Sequence, residues 1–238
     1  MSTSIATNDG VRAGIAPAAW TLLLRRILGL ANVVGAFVIA IALTVNITDR
    51  MVQGIFDPGH YFQYFTIQTC IINIVVLAIG GMFGLMRRND PHWYAVVRAS
   101  TVAYAVIVGV IYNVLLAGLS INDGYISTFE FPNLVQHVWG PILIAAEWVL
   151  MPGRARLRWR VLWIAAVYPL VWVAASIGRG LVGDGWFPYF FLNPAEVGWD
   201  WVGIYVGGIA AFIVVVTAVA IIIGRVHGRV FGDLDRGL

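Results

Sequence analysis

Six stretches of the chain, 27–47, 63–86, 93–119, 132–151, 161–178 and 199–224, are almost free of charge, and short polar connections separate them. A helix needs about 20 apolar residues to cross the hydrocarbon of a bilayer, and each stretch is close to that length. Runs such as Ile71 to Ile79 and Phe212 to Ile223 are too continuously apolar for the alternating strands of a membrane barrel. The pattern predicts an all-α polytopic membrane protein. A six-transmembrane-helix bundle would occupy residues 26–225, between an N-terminal segment, 1–25, and a tail, 226–238.

Composition agrees: 60% of residues are hydrophobic and only 11% charged, so lipid must cover much of the surface. The first 25 residues hold no apolar core, and 27–47 is too long for the core of a signal peptide, so it is expected to remain as the first span. All 15 basic residues are arginine, and their positions carry more information than the net charge of +3. Arg12, Arg25 and Arg26 precede the first span. Arg87 and Arg88, then Arg154, Arg156, Arg158 and Arg160, fill the second and fourth connections, and Arg225, Arg229 and Arg236 end the chain. The other connections hold Arg50 and Arg179 against Asp49, Asp57, Asp123, Glu130, Asp184, Glu196 and Asp200. This bias predicts that both termini are cytoplasmic, and the plasma membrane is the expected location. The basic pI thus reflects topology, and no nucleic-acid partner is expected.

Ionisable side chains within a span cost a few kcal/mol and need partners. Arg98 and Glu147 lie at similar depth near the inner ends of spans three and four, which predicts a structural ion pair; alternatively Arg98 snorkels and Glu147 pairs with Arg154. His137 lies about 7 Å into span four from its outer end. Pro141 follows four residues later and cannot donate to the residue-137 carbonyl, which predicts a local opening of the helix beside the histidine. In span two, Thr66, Thr69, Cys70 and Asn73 share one helical face, and Asn113 in span three reaches a depth similar to Thr66 and His137. A hydroxyl beside an imidazole is the minimal arrangement for nucleophilic attack on a carbonyl, with Asn73 or Asn113 as possible donors to the oxyanion. The alternative is that Thr66 bonds its own backbone and His137 bridges two helices.

Two segments carry a family resemblance. Tyr64-Phe65-Thr66-Ile67-Gln68-Thr69, and Asn133-Leu134-Val135-Gln136-His137-Val138 with Pro141, resemble the androgen-induced-gene and FAR-17a-like membrane proteins, and more closely their six-span bacterial relatives, the Pr6Pr family. The resemblance extends over the six-span layout, including Tyr168-Pro169 and the glycine- and aromatic-rich connection before span six. It implies an intramembrane threonine hydrolase acting on fatty acid esters of hydroxy fatty acids. On matching residues the nucleophile falls on Thr66 and the histidine role on His137. After the histidine, where the eukaryotic proteins are more polar, this chain has Val138, Trp139 and Gly140.

Three functions remain open: a hydrolase of long-chain fatty acyl esters, a small-molecule transporter whose polar path continues past Asn73 toward Arg98 and Glu147, and a non-catalytic lipid-binding scaffold. Membrane lipid is the expected partner in each. No cofactor or metal is expected: His60, His92, His137 and His227 are scattered, Cys70 is alone, and no nucleotide fingerprint or nucleophile elbow occurs. The connection around Trp186, Tyr189, Phe190 and Phe191 reads as an interfacial anchor or as a lid over a cavity. Glycines four residues apart, Gly80 with Gly84 and Gly203 with Gly207, predict close helix contacts in spans two and six.

Overall fold

The structure, a computed structural model, describes residues 19–117 and 128–230. Arg12, Asp123 and Arg236, the segments 1–18 and 231–238, and the end of the third stretch at 118–119 lie outside the described residues, as does the Arg229 side chain. The described residues are helical and contain no strand. We label the long helices α1 (Ala19–Val52), α2 (Phe65–Met86), α3 (His92–Ile111, continued by a π-helical turn at Tyr112–Leu116), α4 (Glu130–Leu134, a π-helical turn at Val135–Trp139, then Gly140–Leu150), α5 (Val161–Val182) and α6 (Trp199–Val230).

Five of these are long and apolar enough to cross a membrane: α1, α2, α3 with its π-turn, α5 and α6. The predicted fourth stretch is helical but divided, and Pro141 is the reason. Without an N–H it leaves the His137 carbonyl unpaired along the helix, and the Gly140 N–H reaches back to Val135 instead, widening the turn. Asn113 of α3 then donates to the freed His137 carbonyl at 3.1 Å. The same solution recurs in α5, where Pro169 frees the Ala165 carbonyl and the Tyr104 hydroxyl donates to it at 2.7 Å. Helix α3 thus supplies the missing donor to both proline-containing neighbours.

Helix α3 occupies the centre, with α2, α4, α5 and α6 packed on it. Its wholly buried Ala95, Ala99 and Ala103, one every four residues, allow that approach. Helix α1 packs mainly on α2, where Gly84 lies against Gly29 so closely that a Cβ on Gly84 would sit 2.7 Å from the Gly29 Cα. Gly203 and Gly207 behave differently: a Cβ at either would meet nothing within 4 Å, so the close contact expected of them in α6 is not made among the described residues. The outward faces carry large apolar side chains, with Phe37 65%, Val171 62% and Trp163 77% exposed, a surface suited to hydrocarbon rather than water.

The arginine-bearing segments meet at one end. Arg25 of α1 donates to the Arg87 carbonyl at 2.8 Å and the Pro152 carbonyl at 2.6 Å, and Arg225 of α6 to the Leu157 carbonyl at 3.2 Å. Acidic connections gather at the opposite end, where Asp49 accepts from Thr128 and His60 meets Asp184.

Candidate active site

The main cavity, of about 300 Å³, lies between α3, α5 and α6, and its wall is apolar except at one end. Along α5 it extends from Trp163 to Val173, ten residues or about 15 Å. Three hydroxyl-bearing side chains, Thr66, Tyr112 and Tyr189, line it, all from the acidic end of the molecule. Its lining residues Trp163, Leu170 and Val214 are 77%, 50% and 41% exposed, so the slot opens sideways between α5 and α6.

Thr66 sits in the first turn of α2, whose N-terminus has no side-chain cap. Its Oγ1 and its backbone nitrogen each lie 3.4 Å from the Tyr189 hydroxyl. Tyr189 arrives on the connection between α5 and α6, and with buried Phe191 and Leu192 it closes the cavity at this end. The connection thus forms one end wall of the cavity. Burial raises the pKa of the Tyr189 phenol, opposed by hydrogen bonds from Thr66 and from the Phe65 N–H, so the phenol is protonated at neutral pH.

The polar stripe predicted on α2 divides. Thr66 faces the large cavity, whereas Thr69, Cys70 and Asn73 are buried against α1 and α4 around a second cavity of about 10 Å³ shared with Gln136 and Pro141. Among the described residues, Thr69 Oγ1 and Gln136 Nε2 have no hydrogen-bond partner. One helical turn separates the two environments, because α2 leaves the lid and enters the core within that turn.

His137 occupies the π-turn of α4. Its Nδ1 lies 3.1 Å from the Asn133 carbonyl and 2.8 Å from Asn133 Oδ1. Both oxygens can only accept, so Nδ1 carries the proton and Nε2 keeps the lone pair that a general base requires. The ring stacks on Tyr112 at 3.7 Å and 14°, and Asn133 Nδ2 donates to the Tyr112 hydroxyl at 2.7 Å. Tyr112 lines the large cavity and His137 stands behind it. No hydrogen bond joins Thr66 to His137 among the described residues; Thr66 lines the cavity, whereas His137 does not and is linked to it only through the Tyr112 ring on which it stacks. Neither Asn73 nor Asn113 lines that cavity. The Asn113 amide is already engaged by the Gly109 and His137 carbonyls.

At the arginine end, Arg98 and Glu147 form the predicted ion pair, with Arg98 Nε donating to Glu147 Oε2 at 2.9 Å. The pair belongs to a larger buried group. Arg98 Nη1 also meets Asp90 Oδ2 at 2.8 Å, Arg25 takes the other Asp90 oxygen, and Asn32 donates to Glu147 Oε1 at 3.0 Å. Arg154 takes a different role, donating to the Met151 and Val149 carbonyls with its guanidinium 4.5 Å from the Trp148 ring. Neither cavity is lined by Arg98 or Glu147.

A clasp outside the cavity ties the lid connection to the connection after α1. His60 Nε2 lies 2.8 Å from Asp184 Oδ2, and Trp186 stacks on the His60 ring at 4.2 Å. The hydrogen bond from His60, then that from the Trp186 N–H, holds the Asp184 carboxyl below its ordinary pKa of 3.8. A lowered carboxylate pKa contributes fully above the ordinary value and is lost as pH falls through the folded-state value. Pepsin cleavage within 184–192 should therefore rise as pH drops below about 3.8 in the wild type, with a weaker pH response in Asp184→Asn. An identical response in both would exclude the clasp.

Comparison with protein-family models, curated proteins and solved structures finds no match.

Proposed function

We propose that this chain is a six-span plasma-membrane hydrolase of long-chain fatty acyl esters, with Thr66 as nucleophile and His137 as its base. The observation that carries the proposal is the cavity: an apolar slot, open sideways, with hydroxyls at one end. Its length of about 15 Å matches half of the roughly 30 Å hydrocarbon core, the depth of one leaflet's acyl chains. An acyl tail lying between α5 and α6 would bring its ester to Thr66. The helical run from Glu130 to Leu150, about 31 Å long, supplies the sixth crossing in this reading. The clustering of arginine at one end supports cytoplasmic termini.

In the reaction, Thr66 Oγ1 attacks the ester carbonyl and its proton passes to His137 Nε2. Collapse of the tetrahedral intermediate breaks the bond to the alkoxide, which takes that proton, and water then releases the fatty acid from the threonine ester. In the resting protein the His137 ring is stacked on Tyr112 and makes no bond to Thr66, so in this reading the base contact forms in the substrate complex, where catalytic hydrogen bonds tighten. The test is turnover of a fatty acid ester of a hydroxy fatty acid by the purified protein in nanodiscs. Thr66→Ala should lower kcat at least about a hundredfold without changing thermal stability. Equal turnover by both proteins would sink the proposal.

One observation favours a second reading, acyl-chain binding without turnover: the Thr66 hydroxyl pairs with Tyr189 and not with His137. That reading expects a fluorescent fatty acid to bind wild type and Thr66→Ala equally, with no hydrolysis by either.

A further inference from the structure

We infer that Tyr189 is a further catalytic residue, whose hydroxyl donates to the oxyanion formed when Thr66 attacks. The inference rests on the hydrolase reading above. It begins with the cavity wall, where few polar groups are available to receive a developing negative charge. The Tyr112 hydroxyl accepts from Asn133 and makes no hydrogen bond to Thr66 among the described residues, and the Trp172 indole N–H is spent on the Gln63 carbonyl at 2.9 Å. Asn73 and Asn113 lie elsewhere. Among the polar groups lining the wall in the described residues, Tyr189 is the one that hydrogen-bonds the nucleophile, 3.4 Å from Thr66 Oγ1 and 3.4 Å from the Thr66 nitrogen.

Its hydrogen-bonding pattern suits the role. The phenol oxygen accepts from the Thr66 N–H, so that contact leaves the phenolic proton free for another acceptor. In the resting protein Thr66 Oγ1 is within reach of that proton. Once Oγ1 is bonded to the substrate carbon, the oxyanion shares that carbon with it. The two oxygens on that tetrahedral carbon stand about 2.3 Å apart, so a donor 3.4 Å from Oγ1 is near enough to reach the roughly 2.7–3.1 Å that oxyanion donors need. Thr66 also stands in the first turn of α2, so the helix dipole adds in the same sense.

The tyrosine is also fixed before substrate arrives. Its ring is stacked on Phe191 at 5.2 Å and 4°, and meets Tyr64 at 5.7 Å and Trp172 at 5.9 Å. A donor held in place by packing costs no reorganisation during the reaction, the condition under which such groups are most effective. Removing the hydroxyl while keeping the ring leaves these contacts intact, which makes the role separable from folding.

The experiment compares wild type, Tyr189→Phe and Thr66→Ala in nanodiscs, with an oxygen ester and its thiono analogue. Tyr189→Phe should lower kcat for the oxygen ester about 10²–10³-fold with KM within about twofold, and shrink the preference for oxygen over sulfur at the carbonyl. If Tyr189→Phe unfolds, fluorotyrosine at position 189 keeps ring and hydroxyl, and it should move the alkaline limb of the kcat profile to lower pH. Unchanged kcat in Tyr189→Phe with Thr66→Ala inactive overturns the Tyr189 role and leaves the hydrolase reading standing. A rise in KM alone overturns it likewise, and absence of turnover in the wild type overturns both.

Discussion

Replacing Arg98 alone by leucine is expected to lower the unfolding free energy by about 3–5 kcal/mol, the cost of leaving a buried partner charge uncompensated. Among the described residues, Glu147 would keep the Asn32 amide as its side-chain hydrogen-bond partner, and Asp90 would keep Arg25. Arg98 and Glu147 are each 3% exposed, so neither can recover its hydration without the structure opening. Glu147→Leu should be costly for the same reason, although Arg98 retains Asp90. The informative variant is the double replacement. It removes one positive and one negative charge together and leaves Arg25 with Asp90, so it should be more stable than the sum of the singles implies, with a coupling of at least about 2 kcal/mol. Chemical unfolding of all four proteins in the same detergent measures it. A coupling under about 0.5 kcal/mol would show that the two side chains act independently.

This group shows what hydropathy reveals and what it hides. Arg98 and Glu147 stand out because each interrupts an apolar run, and equal depth suffices to pair them. Asp90 was hidden because it falls in a connection where acids are ordinarily solvated. Its signal was to be the lone acid between Arg87, Arg88 and Arg98. Arg25 was legible only as a topological charge, although it is 1% exposed and bonded to two connections.

The candidate site divides in the same way. Pro141 foretells the opened helix at His137, since a missing N–H is written in the sequence. The partner that repairs it, Asn113, was legible by depth but not by role. Periodicity placed Thr66 on one face with Thr69 and Asn73, yet α2 passes from lid to core within one turn and the face splits between two cavities. Tyr189 was beyond reach of any periodic argument. It lies in an irregular connection whose path over α2 is set by contacts between distant segments, the His60–Asp184 clasp among them.

Glycine spacing gives the sharpest contrast, because identical patterns have opposite consequences. Gly84→Val is expected to destabilise by about 3 kcal/mol, at the upper end of overpacking costs. A Cβ at Gly84 would stand 2.7 Å from the Gly29 Cα and 3.2 Å from the Arg25 carbonyl oxygen, and backbone atoms cannot rotate aside as a side chain would. Relief requires α1 to move off α2, and α1 carries Arg25 and Asn32 into the buried ionic group, so the loss should spread to that end of the molecule. Gly207→Ala tests the other side. Its Cβ would meet nothing within 4 Å, and alanine favours a helix over glycine by about 1 kcal/mol, so this variant should match or exceed wild-type stability. Thermal unfolding in one detergent compares them directly. Equal destabilisation by both substitutions would mean that Gly207 is packed against something, and a neutral Gly84→Val would mean that the α1–α2 contact is not tight.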